Sequence, residues 1–160
     1  MINIYVIDAS IYASIAVKDE FYKESRSLLL NSRKIGCVTL DLAIIEAYNV
    51  LWKHVYLLKR IPIDDYIIIA DTLADIFEKS VTKIYNTVNI LDDALKTAVN
   101  YGITVYDSAY LVLAEKLGYK LITFDKELEE KFKELDQIFK NIPSSPEPGW
   151  KAVREARNTR

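Results

Sequence analysis

From Ile103 to Leu128 the chain carries an apolar run ending at Asp107, a stretch with helical apolar spacing from Ser108 to Leu117, Gly118, and a second apolar run ending at Asp125. The pattern predicts strand, helix and strand, with an acid directly after each strand. Two strands joined through a helix lie parallel, which brings their carboxyl ends to the same edge of the sheet. Open α/β sheets bind ligands outside that edge. This stretch therefore calls for an α/β domain with a mainly parallel sheet, and for a site that Asp107 and Asp125 share.

The other end of the chain supplies a third unit of the same kind. Ile2 to Ile7 is a short β-branched and aromatic run without alternation, as in a strand buried on both faces, and it ends at Asp8. Ser10 then offers an N-cap for a helix starting near Ile11. Further helices are expected from Asp19 to Lys34, from Asp41 to Arg60, from Asp64 to Glu78, from Leu91 to Tyr101 and from Lys126 to Phe139, with a brief strand at Cys37 to Leu40. Val81 to Ile90 is β-branched and fits either an extended segment or a prolonged helix. On the helix after Asp41, the residues Ile45, Tyr48, Trp52, Val55 and Tyr56 form one apolar stripe, which places Glu46 at the border of the buried face.

Length and composition limit the function classes. The 160 residues suit one domain, with residues 1–140 as its body and a tail from 141 to 160 that contains Pro143, Pro146 and Pro148. That tail has four basic and two acidic side chains, while the whole chain has 21 basic and 23 acidic residues, so any nucleic-acid contact must be local. One cysteine, Cys37, and one histidine, His54, exclude an internal disulfide and leave too few ligands for a Cys/His zinc site. No basic leader with a long apolar block and no run of bilayer length is present, which predicts a cytoplasmic protein with no membrane partner.

One Asp after a strand is ordinary, because its side chain satisfies free N–H groups at the next helix start. Three crowded at one sheet edge repel each other unless a proton or cation offsets their charge. A hard divalent cation, Mg²⁺ or Mn²⁺, is the natural neutraliser for oxygen ligands, and Glu46 would add a fourth carboxylate.

The motifs Val6-Ile7-Asp8-Ala9-Ser10, Glu46 within a helix, Val105-Tyr106-Asp107-Ser108-Ala109-Tyr110 and Leu121-Ile122-Thr123-Phe124-Asp125, in this order, resemble those of the PIN domain. More narrowly they resemble the VapC-type toxins of toxin–antitoxin pairs. The resemblance spans about residues 2 to 135. It implies a three-layer α/β/α sandwich and a metal-dependent endoribonuclease with Mg²⁺ or Mn²⁺ held by Asp8, Glu46, Asp107 and Asp125, supported by Ser10 and Thr123. It also implies an RNA substrate and a cognate antitoxin whose C-terminal segment covers the acids. A non-toxin RNA-processing nuclease or a catalytically silent PIN-like binding module stays open beside it. Response-regulator and haloacid-dehalogenase arrangements fit poorly, since Asp8 has no acidic neighbour and Ser10 stands where the latter needs a second Asp.

Candidates for substrate contact are Lys18, Lys53, Lys126, Lys151, Arg154 and Arg157 for phosphates, and Tyr12 and Tyr106 for bases. The apolar surface expected on the helices from Asp19 to Asn31 and from Asp41 to Ala74 exceeds what one small sheet hides, which suits a homodimer face or a groove for a partner helix.

Overall fold

The computed structural model describes residues 4–140, with side chains through residue 135. The tail from 141 to 160, with Lys151, Arg154 and Arg157, lies outside the described residues. In chain order the elements are β1 (Tyr5–Ile7), α1 (Ala9–Val17), α2 (Tyr22–Ile35), β2 (Cys37–Leu40), α3 (Leu42–Trp52), α4 (Tyr66–Ser80), β3 (Lys83–Tyr85), α5 (Leu91–Tyr101), α6 (Val105–Leu117), β4 (Lys120–Ile122) and α7 (Lys126–Lys140). A π-helical turn, Lys53–Leu57, extends α3, and a 3₁₀ turn, Thr87–Ile90, precedes α5.

The four strands form one parallel sheet in the order β3-β2-β1-β4, with Val6 paired to Val38 on one side and to Leu121 on the other. Central strands need apolar residues on both faces. Accordingly Val6, Ile7 and all four residues of β2 are buried, Cys37 among them. Helix α1 packs on α2, α3 and α4, α4 also packs on α2 and α3, α5 packs on α6, and α6 lies against β1 and β4, in keeping with the α/β/α arrangement that the resemblance implies. Tyr12 of α1 sits edge-on to Phe77 of α4 at 5.1 Å between ring centroids, inside this core. Gly102 and Gly118 close α5 and α6 in the left-handed conformation, at φ of 66° and 64°.

Three expectations are corrected. The run before Asp107 is no strand: helix α6 already begins at Val105. Thr104 caps it by accepting the Asp107 N–H at 3.1 Å and donating its hydroxyl to Asp107 Oδ2 at 2.8 Å. This reciprocal cap outweighs the β preference of four residues that have no neighbouring strand to pair with.

The helix expected to reach Arg60 leaves α-helical geometry at Trp52. Pro62 disfavours helical geometry at Ile61, so the chain must turn before it. Left-handed Lys59, at φ of 53°, makes that turn, and the Arg60 and Ile61 N–H groups both bond the His54 carbonyl.

The stripe of Ile45, Tyr48, Trp52 and Tyr56 faces outward, with Ile45 66% and Trp52 49% exposed. The buried face of α3 is Ala43, Ala47 and Leu51, which meets α1 with its own buried Ala9, Ala13 and Ala16. Small side chains on both helices let the two backbones approach closely, and the bulky stripe is left on the other side.

Candidate active site

Asp8 leaves β1 and caps α1, a role that the sequence assigns to Ser10. Its Oδ1 accepts the Ser10 N–H at 3.1 Å and the Ser10 hydroxyl at 2.5 Å, and its Oδ2 accepts the Thr123 hydroxyl at 2.6 Å. Ser10 Oγ in turn accepts the Phe124 N–H at 2.9 Å, and Thr123 Oγ1 accepts the Asp125 N–H at 3.0 Å. The two small hydroxyl residues thus fasten the segment after β4 to the segment after β1. They also fix the orientation of Asp8.

The remaining acids arrive from three other elements. Glu46 lies on α3, beside Ala47, so the close packing of α3 on α1 carries it to the Asp8 end of the sheet. Its Oε1 accepts the Tyr110 hydroxyl at 2.7 Å. Asp107 stands in the first turn of α6, held by Thr104. Asp125 follows β4 and accepts the Leu128 N–H at Oδ1, 3.1 Å away, as the cap of α7. All four carboxylates line one cleft of about 530 Å³, together with Ser10, Ile45, Asn49, Lys53, Tyr106 and Tyr110.

Their electrostatics form a closed ring. Burial raises Asp8 to about 6, against the pull of Ser10 and Thr123, and the charge of Asp125 adds to the rise. Burial raises Glu46 to about 7, opposed by the Tyr110 hydrogen bond and reinforced by Asp8 and Asp107. Asp107 is raised by burial and by Asp125, with Thr104 opposing. Each acid therefore repels two of the other three. Partly desolvated carboxylates crowded in this way need a proton or a cation to offset their charge, and this makes the cleft the candidate site.

Among the described residues no three His, Cys, Asp or Glu side chains converge into a ready ligand cage. An open set of carboxylates suits Mg²⁺ or Mn²⁺, because Mg²⁺ takes one or two carboxylates and keeps much of its water shell. The donor set is all oxygen, and neither His54 nor Cys37 lines the cleft. His54 is half-buried in the π-helical turn, and Cys37 is buried with its thiol pushed up to about 11 by desolvation.

Of the proposed substrate contacts, Lys53 and the 59% exposed Tyr106 line the cleft. Lys18 and Lys126 are exposed but do not line it. Tyr12 cannot stack on a base, since it is fully buried and its hydroxyl lies 3.1 Å from that of Ser80. Sequence reasoning misses the roles of Tyr110 and Thr104. Tyr110 looks like one more apolar position of a helix, and Thr104 lies within an apparent strand.

A profile of the PIN domain matches residues 5–134. The chain belongs to the PIN domain family. Among its relatives, ribonuclease VapC3 of Pyrobaculum aerophilum is 37% identical over 129 residues, covering 79% of this chain and 93% of that protein. Exonuclease VapC9 of the same organism is 34% identical over 135 residues, 81% and 86% of the two chains. The crystal structure of PAE2754 from Pyrobaculum aerophilum superposes with a TM-score of 0.61 at 28% identity, covering 86% of this chain and 99% of that one. The toxin VapC20 of Mycobacterium tuberculosis, described as cleaving the sarcin–ricin loop, shares the fold with a TM-score of 0.63 at 14% identity, over 79% and 94% of the chains. The protein is thus a PIN domain of the VapC type.

Proposed function

We propose that this VapC-type PIN domain is a Mg²⁺- or Mn²⁺-dependent endoribonuclease, the toxin of a VapBC-type toxin–antitoxin pair. The observation that carries the reading is the ring of four mutually repelling carboxylates in one cleft, Asp8, Glu46, Asp107 and Asp125. These four would hold the cation, directly or through water, and the names of the relatives supply the nuclease class.

When bound, the cation lowers the pKa of a water and offsets charge on the phosphate oxygens. The chain's own residues do the rest by positioning. Ser10 and Thr123 hold Asp8, Thr104 holds Asp107, and the shared cleft fixes where a phosphodiester can sit relative to all four acids. Lys53 offers positive charge for a flanking phosphate, and Tyr106 offers a ring face for a base. No histidine reaches the cleft, so acid–base work by imidazole has no candidate.

Two partners belong to this reading. An antitoxin segment that inserts Lys or Arg among the four acids would offset the same charge as the cation and silence the site. A second copy of the chain would cover the outward-facing apolar band lined by Tyr48, Trp52, Val55, Tyr56, Ile63 and Tyr66, which runs along α3, the π-helical turn and the start of α4.

The test is cleavage of a structured RNA by the purified protein, with Mg²⁺ or Mn²⁺ and with a chelator, alongside Asp8→Ala and Asp107→Ala. Cation-dependent cleavage by the wild type alone is expected. Equal cleavage by all three proteins sinks the site assignment. A gene for a small DNA-binding protein directly upstream favours the toxin over a general RNA-processing nuclease.

A further inference from the structure

The side chain of Tyr110 is almost wholly buried, and a buried phenol needs partners for its hydroxyl. The hydroxyl donates to Glu46 Oε1 at 2.7 Å, so the single phenolic proton is committed to that carboxylate.

The location adds to this. Glu46 is on α3, and Tyr110 lies on α6 three residues beyond Asp107, on the same helix face. One hydroxyl therefore joins the elements that carry two of the four acids. Glu46 Oε1 is engaged, which leaves Oε2 as its freer oxygen.

We propose that Tyr110 is a positioning residue which holds Glu46 as a one-oxygen ligand for the divalent cation. This rests on the metal-dependent reading above. Side chains that orient a metal ligand in this way typically contribute 10- to 100-fold to metal affinity. Tyr110 works through Glu46 and touches neither the substrate nor the reacting atoms.

The test is Mn²⁺ binding to the full chain without RNA, followed by electron paramagnetic resonance or calorimetry. Tyr110→Phe keeps the ring and removes the hydroxyl, and it should weaken Mn²⁺ binding about 10-fold. Tyr12→Phe, which removes an equally buried hydroxyl far from the acids, should leave the affinity unchanged. In a Glu46→Ala background, Tyr110→Phe should have no further effect. Wild-type affinity in Tyr110→Phe, or the same loss with and without Glu46, overturns the inference and leaves the metal reading standing. A wild-type protein that binds neither Mn²⁺ nor Mg²⁺ overturns both.

One measurement needs no substitution. As Mg²⁺ is added to the wild-type protein, the Tyr110 hydroxyl proton should stay in slow exchange and remain coupled to the Glu46 carboxyl carbon in nuclear magnetic resonance spectra. Its disappearance on Mg²⁺ binding also overturns the inference.

Discussion

The Thr123 hydroxyl donates to Asp8 Oδ2 at 2.6 Å, although the two residues are 115 positions apart. This bond ties the segment after β4 to the first acid of the cleft. A hydrogen bond to a charged group contributes about 1.5–3 kcal/mol. Thr123→Val keeps the shape and removes the donor, so it should cost roughly that amount in chemical denaturation and also reduce RNA cleavage. Unchanged stability together with unchanged cleavage would show that Asp8 is held by Ser10 alone.

The raised acids make the metal-free protein sensitive to pH. Asp8 stands at about 6 and Glu46 at about 7, above their ordinary 3.8 and 4.5, so folding favours their protonated forms. The stability they contribute is complete below about pH 4 and is lost as pH rises through 6 to 7. With a chelator present, Asp8→Asn should therefore gain stability relative to the wild type between pH 4 and pH 8. For Asp8 alone this amounts to about 3 kcal/mol at most. Parallel melting profiles for the two proteins across this range would contradict the assignment.

A cation that binds only the folded state should reverse that loss. At a hundred times its dissociation constant, Mn²⁺ should add about 2.7 kcal/mol to the wild type. It should add much less to Asp107→Asn, in which one carboxylate of the ring is neutral. Thermal melts with Mn²⁺ and with a chelator measure both. An identical Mn²⁺ response in the two proteins would remove Asp107 from the ligand set.

Thr104 links helix capping to the site. Loss of an N-cap side chain costs about 1 kcal/mol, and Thr104→Ala should lose that much in denaturant. It should lose proportionally more in RNA cleavage, because Asp107 Oδ2 also loses its hydroxyl partner. Cleavage at the wild-type rate would show that the helix start alone places Asp107.

The outward apolar band predicts self-association. Ile63→Lys places a charge within that band, where Ile63 is 71% exposed, so it should leave the monomer folded while reducing the apparent mass in sedimentation. Equal mass for variant and wild type would leave the band to another partner.

The sequence by itself determined the strands at β1, β2 and β4 and the glycine stops, and it singled out four acids that the fold gathers along one cleft. These rest on local chemistry: buried parallel strands need continuous apolar runs, and a helix end needs a residue that tolerates the left-handed conformation. What it could not determine is which apolar face turns inward. Ile45, Trp52 and Tyr56 carry a strong helical period, yet Ala43 and Ala47 are the buried side, because the choice depends on how closely α1 approaches. The segment before Asp107 shows the same limit, since Val105 and Tyr106 suit a strand only where another strand lies beside them. Tyr110 is the clearest case. Its role depends on one proton directed at Glu46, 64 residues away, and only the tertiary structure that brings this part of α6 to α3 decides that.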